Sequence, residues 1–80
     1  MKVRFYGKLV AAMGSHVDMA VDMPCTVAQV RRRLIAAHPG FAEMMDDKRI
    51  RAIVGESVVA DGYQLSPTDE LEFLAPVSGG

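Results

Sequence analysis

The chain opens on an alternation. In Lys2-Val3-Arg4-Phe5-Tyr6, Val3 and Phe5 fall on one side and Lys2, Arg4 and Tyr6 on the other, the period of a half-buried strand. Gly7 breaks the pattern, and the run Lys8-Leu9-Val10-Ala11-Ala12-Met13 before Gly14 suits a single helical turn. A longer alternation follows, with Val17, Met19, Val21 and Met23 on one face and Asp18, Ala20 and Asp22 on the other. These two segments predict an antiparallel pair whose inward faces form one wall of a core.

After Pro24 the period becomes helical. Thr26-Val27-Ala28-Gln29 has the pattern of a capping box, in which the Thr26 hydroxyl accepts from the Gln29 N–H and the Gln29 side chain reaches back. Cys25 before the cap and Val30 at the fourth helical position match a hydrophobic staple. Val27, Val30, Leu34 and Ala37 make the inward stripe, with Ile35 beside it. Arg31, Arg32 and Arg33 face outward or flank that stripe; a solvated face is one reading and a docking patch for an acidic partner the other. Pro39-Gly40 ends the helix, because the residue before proline is pushed out of the α region. The next five residues add a turn that tucks Phe41 and a methionine under the core, and Asp46-Asp47-Lys48 forms a surface loop.

The second half reads as strands. Ile50, Ala52 and Val54 alternate with Arg49, Arg51 and Ile53, and Gly55-Glu56 turns the chain into Ser57-Val58-Val59-Ala60. Asp61-Gly62 is a second turn signal, Tyr63-Gln64-Leu65 packs locally, and Ser66-Pro67-Thr68-Asp69 bends into a last strand that buries Leu71 and Phe73. The order β-β-α-β-β-β predicts a two-layer α+β domain. The arrangement that fits is a β-grasp, a mixed sheet curled around one main helix with the first and last strands side by side. Residues 1–75 form that domain, and 76–80 a flexible tail ending in Gly-Gly.

Composition narrows the function. Eighty residues, half of them hydrophobic, make one domain near the lower end of what folds alone. A net charge of −1 with acids and bases intermixed argues against nucleic acid as a partner. One cysteine excludes an intrachain disulfide and suits a reducing compartment; Cys25 is a small packed hydrophobe or, alternatively, a reactive thiol. No run has the length of a signal peptide or a bilayer span, so a cytoplasmic protein with no membrane partner is expected. His16 and His38 lie in different elements, and no Cys/His cluster has the spacing of metal ligands. Ser57, Ser66 and Ser78 have no evident base beside them, and no Gly-rich loop opens the helix to cradle phosphate.

The remaining chemistry lies at the end, in Phe73-Leu74-Ala75-Pro76-Val77-Ser78-Gly79-Gly80. A terminal carboxyl has a pKa near ~3.5, so at neutral pH it is an ionised, poor electrophile that another enzyme must activate. Gly79 and Gly80 lack Cβ atoms and can thread a narrow channel behind Ser78 and Val77, while Pro76 keeps the exit extended. The body then serves as a handle. Because helix-facing positions are spent on the core, the opposite sheet face is the candidate docking surface, with Arg4, Tyr6, Arg51, Ile53 and Leu74.

The chain resembles the small subunits of molybdopterin synthase, MoaD-type sulfur carriers with a ubiquitin-like β-grasp fold. The likeness rests on Val3-Arg4-Phe5-Tyr6-Gly7-Lys8-Leu9, on Thr26-Val27-Ala28-Gln29-Val30, and on the ending from Asp69 to Gly80, where Pro-Val-Ser-Gly-Gly is most specific. Two departures stand out: Ala75 and Gly55 occupy positions where that family often has proline and asparagine, and the first is expected to loosen the approach to the tail. The resemblance implies that an ATP-using, E1-like adenylyltransferase activates Gly80 and that a sulfur donor enzyme converts it to a thiocarboxylate. It further implies that the sulfur attacks cyclic pyranopterin monophosphate inside a large subunit, two carriers sitting on a dimer of large subunits as a heterotetramer. No cofactor or metal would be bound by this chain, ATP being used by the activating enzyme, and the acid–base side chains would be the large subunit's. Sulfur carriage for thiamine thiazole or another pathway, and a ubiquitin-like modifier or binding module, are the alternatives.

Overall fold

In a computed structural model of the chain, which describes residues 1–47 and 49–75, the opening alternation forms β1 (Lys2–Tyr6), followed by the short helix α1 (Leu9–Met13) and β2 (His16–Asp18). β2 runs antiparallel to β1, with Lys2 opposite Asp18 and Arg4 opposite His16. This strand is shorter than the alternation through Met23 predicts. Its ladder stops where β1 runs out of partners: the Met19 N–H donates to the Met1 carbonyl at 2.8 Å, and the Met1 amino group to the Met19 carbonyl at 2.7 Å. Met19, Val21 and Met23 stay half-buried and Ala20 and Asp22 exposed, so the burial period outlasts the pairing.

The main helix is α2 (Val27–Ala37), preceded by the two-residue β3 (Cys25–Thr26). Both halves of the capping box form: the Gln29 N–H donates to Thr26 Oγ1 at 3.3 Å, and the Thr26 N–H to Gln29 Oε1 at 2.7 Å. The first two helical N–H groups, from Val27 and Ala28, donate to the carbonyls of Tyr63 and Asp61 at 3.1 and 2.9 Å, so the donors a helix start leaves orphaned are met by the following loop. Val27, Val30 and Leu34 are fully buried, and Cys25 is buried in the same core.

Two helix expectations are corrected. Ala37, placed on the inward stripe by periodicity, is exposed, because it sits in the last turn and the chain leaves the helix at His38 without covering it. Arg31 is no solvated residue. It lies one turn from both Val27 and Leu34, so its stem follows the buried stripe. Its guanidinium donates to the carbonyls of Ile50 (2.8 Å) and Met45 (3.4 Å), pairs with Asp61 (3.0 Å), and stands 5.0 Å from the centre of the Phe73 ring.

A 3-10 turn (Pro39–Phe41) and α3 (Ala42–Met45) bury Phe41 and Met45, as the sequence indicates. β4 (Arg51–Val54) turns through Gly55, whose φ of 64° suits glycine, into β5 (Ser57–Val59); β6 (Gln64–Leu65) and β7 (Leu71–Leu74) complete the elements of the described residues. The main sheet has the order β2-β1-β7-β4-β5, and its first and last strands, β1 and β7, pair in parallel. β3 and β6 form a separate two-stranded sheet that the sequence reading did not contain, since two residues each are too few to show a period. The architecture is α+β, a mixed sheet packed on one main helix. Its core centres on Phe5, which stacks on Phe73 with ring centres 6.3 Å apart and meets Phe41 edge-on at 5.9 Å.

Leu34 is fully enclosed between helix and sheet. Leu34→Ala should lower unfolding free energy by about 2–5 kcal/mol through the cavity it leaves. Denaturant titration measures this, and a negligible change would mean that the helix packs on the sheet through another face.

Candidate functional site

The parallel β1–β7 pair sets the site. Register places Arg4 beside Glu72 and Tyr6 beside Leu74; on the other flank of β7, Ile53 lies beside Glu72 and Arg51 beside Leu74. Side chains alternate along a strand, so these six residues share the sheet face opposite the core, while Val3, Phe5, Ala52, Leu71 and Phe73 point inward. All five residues expected to form a docking surface are therefore brought together. Sequence reasoning missed Val58, which pairs with Ile53, extends the same face and is 63% exposed, the most of the large exposed hydrophobics. A signal existed: Val58-Val59 are consecutive in a strand, so one of them must face away from the core. Tyr6 (43% exposed) and Leu74 (38%) form the apolar pair nearest the tail, flanked by the arginines at 4 and 51.

Ala75 is the last described residue before the tail. It is fully buried, and its N–H donates to the Tyr6 carbonyl at 3.3 Å, one step beyond the β1–β7 ladder. Ala75 itself is tied to the sheet, and the tail it is expected to loosen lies beyond the described residues. A residue with an N–H makes a bond here that proline cannot. The tail residues Pro76, Val77, Ser78, Gly79 and Gly80 lie outside the described residues.

Other chemistry is sparse. Among the described residues no group of three His, Cys, Asp or Glu side chains could hold a metal ion, and no helix is long and apolar enough to cross a membrane. Ser15 Oγ lies 3.2 Å from His16 Nδ1, but both are exposed and adjacent in sequence. A groove of about 410 Å³ between β4–β5 and α2–α3 is floored by Arg31, and a second of about 530 Å³ lies between β2 and α2; neither reaches Ala75.

One carboxylate is strongly perturbed. Asp47 is held at a pKa of about 2, chiefly by the Arg49 guanidinium, whose Nε and Nη2 donate at 3.1 and 2.9 Å, and by the Arg49 backbone N–H at 2.9 Å. This clamps the turn that leads into β4. Because the folded pKa is depressed from 3.8, the contribution is fully present above that pH and is lost as pH falls through about 2. The stability gap between wild type and Asp47→Asn should be constant in mildly acidic to neutral buffer and close toward pH 2. A gap that persists undiminished at that acidity would contradict the assignment.

Known proteins share the sequence pattern and the fold of this chain. The profile described as the ThiS family matches residues 3–80. The Escherichia coli molybdopterin synthase sulfur carrier subunit is 30% identical over 81 residues, an alignment covering all of this chain and 99% of that protein. The crystal structure of SAMP1 from Haloferax volcanii superimposes with a TM-score of 0.84 at 29% identity, covering 99% of this chain and 97% of that one. A crystal structure of the H. volcanii small archaeal modifier protein 1 gives 0.80 at 26% identity, with 95% of each chain covered. The fold is the ubiquitin-like β-grasp.

Proposed function

The chain belongs to the ThiS family, and on that premise we propose that it is the sulfur carrier subunit of a molybdopterin synthase, with the Gly80 carboxylate as its reacting group. The observation that carries this reading is the 30% identity to the E. coli sulfur carrier subunit over essentially the whole of both chains. The described site is consistent with it: a body whose last described strand pairs with β1 through Leu74 and whose Ala75 is buried and bonded to Tyr6.

The chemistry proceeds by activation elsewhere. The Gly80 carboxylate attacks the α-phosphorus of ATP on an E1-like adenylyltransferase, and pyrophosphate leaves. The outer sulfur of a donor enzyme's persulfide then displaces AMP from the acyl carbon. A thiol takes up the inner sulfur as a disulfide, and the C-terminal thiocarboxylate remains. Its sulfur is the nucleophile toward cyclic pyranopterin monophosphate held by the large subunit, and water releases the carrier as a carboxylate. A dithiolene needs two such loads, which fits two carriers on a dimer of large subunits. The large subunit docks on the face made by Arg4, Tyr6, Arg51, Ile53 and Leu74, with Val58 at its far edge. Arginine and tyrosine beside aliphatic side chains are the usual centre of such contacts. Pro76, Val77, Ser78 and Gly79 thread the tail to the partner's site.

The likeness to H. volcanii SAMP1 favours a second reading, a ubiquitin-like modifier. The same activated carboxyl would then be transferred to a lysine amine rather than loaded with sulfur.

Removing Gly79 and Gly80 should leave the thermal midpoint unchanged and abolish dithiolene formation in an assay with large subunit, activating enzyme, ATP and a persulfide source. Full activity of the shortened chain would refute the carrier reading, and isopeptide-linked adducts from the intact chain without pterin conversion would favour the modifier.

A further inference from the structure

Gly7 follows β1 in a left-handed conformation, φ 73°, against the backbone of Ala75. A Cβ at Gly7 would stand 2.8 Å from the Ala75 carbonyl oxygen and 3.6 Å from the Ala75 Cβ. The Tyr6 carbonyl accepts the Ala75 N–H, and the Gly7 carbonyl accepts the Val10 N–H at 3.2 Å, tying the same turn to α1. Ala75 is thus held on both sides, its N–H by Tyr6 and its C=O by close packing on Gly7. Gly14 and Gly55 also have positive φ, at 78° and 64°, yet a Cβ there would meet nothing within 4 Å. Turn conformation accounts for those two. At Gly7 close approach is a separate requirement.

We infer that Gly7 is a positioning residue for the chemistry at Gly80: its bare α-carbon seats the Ala75 carbonyl, and that seat sets the direction in which the chain leaves the body. The inference rests on the carrier reading above. A side chain at this position would push the Ala75 oxygen outward by about 0.6 Å if ordinary contact, which begins at 3.4 Å, is to replace the 2.8 Å approach. Over the ~3.8 Å between consecutive Cα atoms that is a tilt of roughly 9° at the point where the chain leaves Ala75. An activating enzyme that grips both the body and the tail would have to take up that tilt before the carboxylate is in line with the α-phosphorus. Misplacement of that kind slows reaction while leaving docking intact.

The test is ATP–pyrophosphate exchange catalysed by an E1-like adenylyltransferase on the full chain, comparing wild type with Gly7→Ala, Gly7→Asn and Gly14→Ala. Gly14→Ala also sets a side chain at positive φ, at a position where its Cβ meets nothing within 4 Å. Asparagine tolerates the left-handed region better than alanine but keeps the Cβ, so Gly7→Asn separates contact from strain. Both Gly7 variants should lose ~10–100-fold in kcat. Their KM should stay within about threefold of wild type, and Gly14→Ala should change little in either constant. Hydrogen exchange should show the Ala75 amide losing protection in the Gly7 variants and keeping it in Gly14→Ala. Wild-type kcat in a Gly7 variant, a loss matched by Gly14→Ala, unchanged Ala75 protection, or failure of both Gly7 variants to fold would each overturn the inference. Absence of exchange with wild type would instead overturn the carrier reading, and the amide measurement would still decide whether Gly7 seats Ala75.

Discussion

The parallel pairing of β1 with β7 joins the two ends of the chain in the middle of the sheet, and the rest of the molecule is arranged around that contact. It sets Phe5 beside Phe73, which becomes the centre of the core, and it sets Tyr6 beside Leu74 on the outer face, at the end nearest the tail. Parallel strands need a crossover connection, here most of the chain, and α2 packs within that crossover. One register therefore decides both what is buried and what is presented. Sliding β7 by a single residue would turn Leu71 and Phe73 outward and bring Glu72 and Leu74 into the core.

The same pairing explains how a small body can hold its exit point firmly. Ala75 continues the ladder by one hydrogen bond to Tyr6 and is sealed from solvent. Phe73, two residues earlier, is covered by the Arg31 guanidinium, which also ties α2 to the chain on either side of the Asp47–Arg49 clamp. A half-buried cation with carbonyl, carboxylate and aromatic partners is well satisfied, and among the described residues no buried side-chain nitrogen or oxygen lacks a hydrogen bond. Rigidity up to the last strand residues is what a carrier needs when its partners do the chemistry.

Much of this was legible in the residues, for identifiable reasons. Strands β1, β4 and β7 carry period-two patterns with one buried face, and the capping box at Thr26 and Gln29 marks the start of α2. Where the reading fell short, the deciding partner was distant in sequence. The end of β2 depends on where β1 begins, and β3 and β6 are too short to have a period. Arg31 reads as one of three surface arginines until the carbonyls of Met45 and Ile50 are placed beside it. Gly7 looks like an ordinary turn glycine, because only the fold brings Ala75 against it. The membership of the outer sheet face followed from strand alternation alone, except Val58, whose side was set by its pairing with Ile53.

In the proposed function the reacting group is the Gly80 carboxyl and not a side chain. Intact mass spectrometry of the protein after incubation with ATP, an E1-like activating enzyme and a persulfide source tests it most directly. The expected result is a gain equal to one oxygen replaced by one sulfur, placed on Gly80 by fragmentation. An unchanged mass under conditions that load another carrier, or sulfur found on Cys25 instead, would contradict it.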